Sequence, residues 1–443
     1  MKMSGLFRLS GMSLLVIVMV ALGIRLLQMP YGVHAWVDST AYLKSAFALF
    51  QGEPSLYAVE RTPGYPFLVW AALVVFSWFN PAVNSGMAFE MLQQTGFQSF
   101  LLWIQLALGV FTAILAAEIS LAIFKHPWLA RWTGICVALL PDLLFYEHSI
   151  LTESLYGFSL TFLVWLYIRW PLKNPLVWAP VGLLGGWVLW VRSVGMVLLA
   201  AITGWLAKKH PQPKKAVTAF LLPVCIMVLA WSGFHHTYHG FTGYTAGAGM
   251  NQLYKTIDFI RMDSDKHQEY KQMLAQRREI YPDYKTYEAV NDAHVLFWLQ
   301  EKGKRPYNQV YLDHDRIASD IAREAALSHP LAYMSVTIRE GWRLLTMGTI
   351  WDPKAWVWSP LLLLFGLGSI LRLKAVAQSK EVHQQGVWLI MAAVVGHFVL
   401  TPLVTVCDGR YRVPLEPLMM VLALYGLAVL WRGLKPEEQP SLE

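Results

Sequence analysis

The first carboxylates of the chain fall in one stretch, at Asp38, Glu53 and Glu60, and Arg61 stands beside the last of them. The stretch opens H-A-W-V-D-S-T-A-Y and closes on E-R-T-P-G-Y-P. A carboxylate can deprotonate a hydroxyl, and a guanidinium can clamp a phosphate. An acid near the start of the stretch and a base just before its Pro-Gly-Tyr-Pro turn would face the same interface. Over 36–50, Tyr42, Leu43, Ala46, Phe47, Leu49 and Phe50 fall on one helical face, and Asp38, Thr40, Lys44 and Ser45 fall on the other. That pattern predicts a helix lying on a membrane surface. The plain structural reading of Asp38 is a helix cap, and that of Arg61 is an anchor for anionic lipid.

The rest of the chain reads as the scaffold that holds this loop. Of 443 residues, 56% are hydrophobic and 15% charged, too few charges for a soluble domain of this size. The apolar residues come in blocks long enough to cross a bilayer. Many of the 20 tryptophans lie at block edges, as an interfacial belt requires. Spans are expected at 11–27, 97–124, 132–145, 150–168, 176–191, 194–206, 217–233, 356–371, 386–406 and 413–431, about ten in all. The first is read as an uncleaved helix, since no clean small-x-small site follows it. The net charge of +7 sits in short loops, where it sets orientation, and a nucleic-acid partner is rejected on that ground. Cys136, Cys225 and Cys407 lie apart, with no disulfide framework or metal knuckle legible.

Bases at Arg8, Lys125, Arg131, Arg169, Lys208, Lys209, Lys214, Lys215, Arg372 and Arg432 share one side if the run at 64–79 does not cross. That run is therefore expected to be interfacial or re-entrant, the termini cytoplasmic, and the loop holding Asp38 outside. The same topology puts 234–352 outside, with helical pieces at 284–301, 311–328 and 331–347. The expected organisation is an N-terminal membrane module at 1–234 with its first outer loop at 29–96, an outer α-rich region at 235–355, and C-terminal membrane helices at 356–443.

Other candidates share the outer side. P-D-L-L-F-Y-E-H-S-I-L-T-E-S carries Asp142, Glu147 and Glu153. Glu153 sits just inside an apolar span, where a carboxylate defaults to a functional hypothesis, against the alternative of a helix–helix hydrogen bond. Arg410 and Arg412, in D-G-R-Y-R-V-P, run against the charge bias, and Arg192 does the same alone. Trp36, Tyr42 and Tyr65 offer aromatic faces for stacking, but read first as structural aromatics of a membrane belt. His235, His236 and His239 read as a polar interface cluster, not a metal site, and Glu118 is assigned no role. No P-loop, G-x-G-x-x-G after a strand, H-E-x-x-H or G-x-S-x-G is present.

Taken in order, Asp38, R-T-P-G-Y-P, the 141–154 segment and R-Y-R-V-P-L-E-P resemble the polyprenyl-phosphate-sugar-dependent glycosyltransferases of the GT-C fold. The nearest group is the family 39-like enzymes related to aminoarabinose transferases and protein mannosyltransferases. The resemblance implies an all-α polytopic membrane protein of GT-C type with interfacial helices. It assigns Asp38 to the acceptor, Arg61 with Glu60 to the lipid phosphate, and Glu153 or Asp142 to the lining of the site. It implies a polyprenyl-phosphate-linked sugar as donor, and a glycan, lipid or protein as acceptor. The chain departs from the pattern in having one Asp at 38 where the family often has an Asp-Glu pair, and in lacking a His-Pro-Pro run, which argues against a protein mannosyltransferase. The expected setting is a bacterial inner membrane with the site facing the periplasm. No organic cofactor is called for, and metal dependence is left undecided. Rival classes are a secondary transporter, a non-catalytic envelope-assembly protein, and a polymerase or ligase of lipid-linked glycans.

Overall fold

The computed structural model describes residues 8–92, 95–169, 174–281, 286–346, 364–371, 382–405, 407 and 409–432. Among these residues all regular structure is helical, apart from one bridge between His34 and Ser149. The expected all-α architecture is borne out.

The bundle is built on α4 (Phe97–Phe124), whose sequence is apolar on every face and which is largely buried. Against it pack α1 (Gly11–Gln28), α5 (Pro127–Ala138), α7 (Glu153–Arg169) and α17 (Glu416–Arg432). A second group joins α3 (Gly64–Phe79), α8 (Trp178–Val191), α9 (Met196–Lys209), α10 (Pro213–His239) and α16 (Val382–Val404). Five helices among the described residues are long and apolar enough to cross a membrane, and the chain is a multi-pass membrane protein.

The expected span at 132–145 is broken. It forms α5 and α6 (Pro141–Glu147), bent by 50°. Proline has no N–H to donate and its ring clashes with the preceding turn, so Pro141 starts a new helix. If the bent pair crosses as one unit, it is a sixth span. The larger sequence count of about ten included short apolar segments, and the first half of the one at 356–371 lies outside the described residues.

Three sets of buried charges fasten the helices. Arg25 of α1 meets Glu147 of α6 at 2.5 Å, both fully buried. Gly109 on α4 leaves room for the pair, because a Cβ there would stand 1.8 Å from Glu147 Oε1. Glu118 pairs with Arg169 and accepts the backbone N–H groups of Arg8 and Leu9 at 2.9 and 2.7 Å. Arg412 meets Glu416 at 3.2 Å and Asp142 at 3.8 Å, and donates to the Leu344 carbonyl at 3.2 Å.

The hydrophilic region between the two membrane parts of the sequence consists of α11 (Ala248–Thr256), α12 (Gln268–Ile280), α13 (Thr286–Glu301), α14 (Tyr307–Ser328) and α15 (Pro330–Thr346). It has its own core, including Leu253, Leu274, Val290 and Ile321. Lys255 ties it to the end of α16 by donating to the Pro402 and Leu403 carbonyls at 2.7 and 3.2 Å. Asn308 ties it to the first loop by donating to the Ser55 and Tyr57 carbonyls at 3.1 and 2.7 Å.

Candidate active site

The loop at 29–63 is shaped by α2 (Val37–Gln51). The helix is capped one turn before the carboxylate matters: Ser39 Oγ accepts from the Trp36 N–H at 2.8 Å and donates to the Ile150 carbonyl at 2.9 Å. Asp38 is thus not the N-cap. Ser45, expected on the polar face, is fully buried and accepts from the Ala58 N–H at 3.1 Å. That bond folds the 54–63 segment back over α2. Thr62 then donates to the Val191 carbonyl at 2.9 Å, which sets Arg61 beside the end of α8.

Asp38 stands between two guanidiniums. Arg61 donates to one carboxylate oxygen at 2.8 Å, and Arg410 donates to the other at 3.0 Å. Glu153, the first residue of α7, accepts from Arg192 at 2.8 Å and lies 3.7 Å from Arg410. Arg410 therefore joins the two carboxylates into one cluster of two acids and three arginines. Asp38, Arg61 and Arg410 are partly exposed, with about a fifth to a quarter of each side chain accessible (26%, 20% and 23%), whereas Glu153 is buried. Glu60 lies 3.9 Å from Arg61.

Tyrosines line the cluster. Tyr42 lies 4.9 Å beneath the Arg61 guanidinium, and Tyr411 lies between Arg192 and Arg410 at 5.1 and 5.3 Å, in cation–π range. Tyr65 is fully buried, meets Tyr42 edge-on at 5.2 Å, and donates to Gln105 Oε1 at 2.6 Å. Its hydroxyl is occupied, and its ring supports Tyr42.

The electrostatics follow from these contacts. Burial alone would raise the Asp38 pKa, but Arg61 and Arg410 outweigh it and hold the carboxyl well below the usual carboxylate range. Burial pushes Glu60 up, only partly offset by Arg61. The two neighbouring acids are thus driven in opposite directions. Several shielded polar atoms carry no hydrogen-bond partner among the described residues: Arg61 Nε, Arg192 Nη1, Glu153 Oε2 and Glu60 Oε2.

The structure brings together Asp38, Glu60, Arg61, Glu153, Arg192, Arg410 and Tyr42. It does not add Asp142, Glu147 or Arg412, which are engaged in the buried pairs of the bundle. Tyr411 and Tyr156 went unread in the sequence, although Tyr411 stands inside the R-Y-R motif. Tyr156 lies 5.9 Å below Arg192. His235 is buried against Trp231 and Phe234, and His239 contacts Asn308 at 3.2 Å. Among the described residues no three His, Cys, Asp or Glu side chains are grouped to hold a metal ion.

The arrangement of helices is shared with an oligosaccharyltransferase of Archaeoglobus fulgidus. Its apo form superposes with a TM-score of 0.54 at 11% identity, covering 95% of this chain and 50% of that one. The form tethered by a disulfide bond to an acceptor peptide containing the NVT sequon gives 0.52 at 12% identity, covering 95% and 49%. The chain therefore spans about half the length of these solved structures. The fold is the GT-C fold, as the sequence resemblance implied. No family model and no curated protein sequence matches the chain.

Proposed function

We propose that the protein is an integral-membrane glycosyltransferase that moves a sugar from a polyprenyl-phosphate carrier to an acceptor hydroxyl or amide at the outer face of a bacterial inner membrane. The observation that carries this reading is Asp38 held between Arg61 and Arg410 at the membrane end of a GT-C bundle. Asn308 fastens the 248–346 region to the first loop; in this scheme that region is outside and both termini are cytoplasmic.

A sugar on a phosphate already has a good leaving group, so the site needs positive charge at the departing oxygen, a base, and alignment of the reactants. Arg61, Arg410 and Arg192 supply the charge. With an alcohol acceptor, its oxygen attacks the anomeric carbon while the bond from that carbon to the phosphate oxygen breaks. The bonding pair leaves with the polyprenyl phosphate, and the acceptor proton passes to Asp38. One displacement inverts the anomeric configuration.

A carboxylate gripped by two guanidiniums is a weak base. The same guanidiniums are the groups that a phosphate recruits. When the donor draws Arg61 or Arg410 away, Asp38 loses the charge that depresses its pKa and regains basicity. Donor binding would thereby arm the base.

The test is transfer from a synthetic polyprenyl-phosphate sugar by purified protein in nanodiscs, with envelope extract as acceptor. Wild type is expected to consume donor with inversion, and Asp38→Asn to lose transfer while staying folded. A product that keeps the donor's configuration would remove the single displacement. Failure to consume any carrier-linked sugar would remove the transferase reading and favour a transporter.

A further inference from the structure

We propose that Glu60, Tyr307 and Tyr311 form a subsite for a pyranose ring on the hydrophilic-region side of the cluster. The proposal rests on the glycosyltransferase reading and names where the sugar is held.

Tyr307 opens α14 and Tyr311 follows one turn later, so both project from one helix face, with ring centroids 5.9 Å apart. Asn308, between them, reaches back to the first loop and accepts from the Val59 N–H at 3.3 Å while donating to the Tyr57 carbonyl at 2.7 Å. The Ala246 N–H donates to the Val59 carbonyl at 3.1 Å. These bonds pin α14 and the 246–247 turn against the residue that precedes Glu60.

Gly247 measures the approach. The Cβ it lacks would sit 3.0 Å from the Tyr311 hydroxyl and 3.9 Å from Glu60 Cβ. Its φ of +99° also lies in the region that favours glycine. A side chain there would stand between the tyrosine and the acid, so glycine keeps that space open. Tyr307 is 42% exposed, and Glu60 Oε2 is shielded without a hydrogen-bond partner among the described residues.

An aromatic face beside an orphaned carboxyl is the chemistry that recognises a sugar. The C–H face of the ring lies on the π surface, and its hydroxyls pair with the acid. Burial raises the Glu60 pKa, which favours a protonated carboxyl able to donate as well as accept. Asp38, held ionised by its two guanidiniums, is an acceptor only. The sugar comes either from the donor or from a glycosylated acceptor.

The full chain in nanodiscs is tested by equilibrium binding of undecaprenyl phosphate, of undecaprenyl-phosphoryl sugars and of alkyl glycosides. The sugars span hexoses, hexosamines and pentoses. Tyr307→Ala is expected to weaken at least one sugar-bearing ligand about tenfold and leave bare undecaprenyl phosphate unchanged, and Glu60→Gln is expected to weaken the same sugar-bearing ligand. Tyr307→Phe, which keeps the aromatic face, is expected to restore most of the loss. Loss confined to the carrier-linked sugar assigns the subsite to the donor, and loss confined to the alkyl glycoside assigns it to the acceptor. If no sugar-bearing ligand binds wild type more tightly than Tyr307→Ala, the subsite is overturned. Failure of bare undecaprenyl phosphate to bind wild type overturns the carrier reading alone.

Discussion

Two kinds of carboxylate–arginine contact occur in this bundle. Arg25–Glu147 is a fully buried pair, and Arg412 is fully buried between Glu416 and Asp142. The cluster of Asp38, Arg61, Arg410, Glu153 and Arg192 uses the same groups but holds one more cation than anion and opens in part to solvent. Charges paired in a dry interior are closed to a ligand by their burial, and removing one partner leaves a bare charge. A partly exposed cluster can exchange one partner for a phosphate at small cost. Sequence spacing does not separate the two kinds: Arg410 and Arg412 are two residues apart and belong to different ones.

The comparison breaks most visibly at Asp38. Asp38→Asn is expected to lower transfer by about 10²–10⁴-fold with an unchanged melting temperature, measured by product formation beside thermal unfolding. If the melting temperature falls with the activity, the cluster is structural after all. The converse holds for Arg25→Ala, expected to cost about 3–5 kcal/mol because Glu147 is left buried and unpaired. Replacing both members, Arg25→Met with Glu147→Gln, should recover most of that loss in the same unfolding measurement.

A finer contrast comes from the R-Y-R motif. Arg410→Ala is expected to raise the apparent donor KM about tenfold and leave stability within about 1 kcal/mol. Arg412→Ala is expected to reduce the folded yield. Equal effects of the two would erase the distinction.

The smallest effect lies in the hydrophilic region. Burial holds His294 at about 4 and His314 at about 3, so both are neutral in the fold. His314 contacts Tyr270 and, at 3.0 Å, His294. The unfolded chain takes up protons near the ordinary value of 6.5, before the folded one does. Stability conferred by these groups is complete above that value and falls as pH drops toward about 3. Hydrogen exchange in α13 and α14 should quicken across that window, and His294→Gln should flatten the dependence.

Some of this was legible in the chain. The apolar run at 97–124 is too long and too uniform for anything but a buried spanning helix, and it forms α4 (Phe97–Phe124). The helical spacing of Ile317, Ile321 and Ala325 predicts α14, in which Ile321 and Ala325 are buried and Ile317 half-buried. Ser45 was misread because its neighbours put it on the polar face, whereas the returning 54–63 segment covers it. The span at 132–145 was misread because apolar content outweighed Pro141.

Composition and periodicity thus determined the membrane class, the long helices and the amphipathic loop, since those depend on transfer to lipid and on local backbone geometry. The motifs also nominated Asp38, Arg61, Glu153, Arg192 and Arg410. The tertiary structure alone decided how they combine. Asp38 and Arg410 are joined across almost the whole chain, Glu147 and Arg412 turn inward to other partners, and the tyrosines of α14 come down beside Glu60. Such contacts are set by which helix faces meet, and a single sequence records the faces without recording their partners.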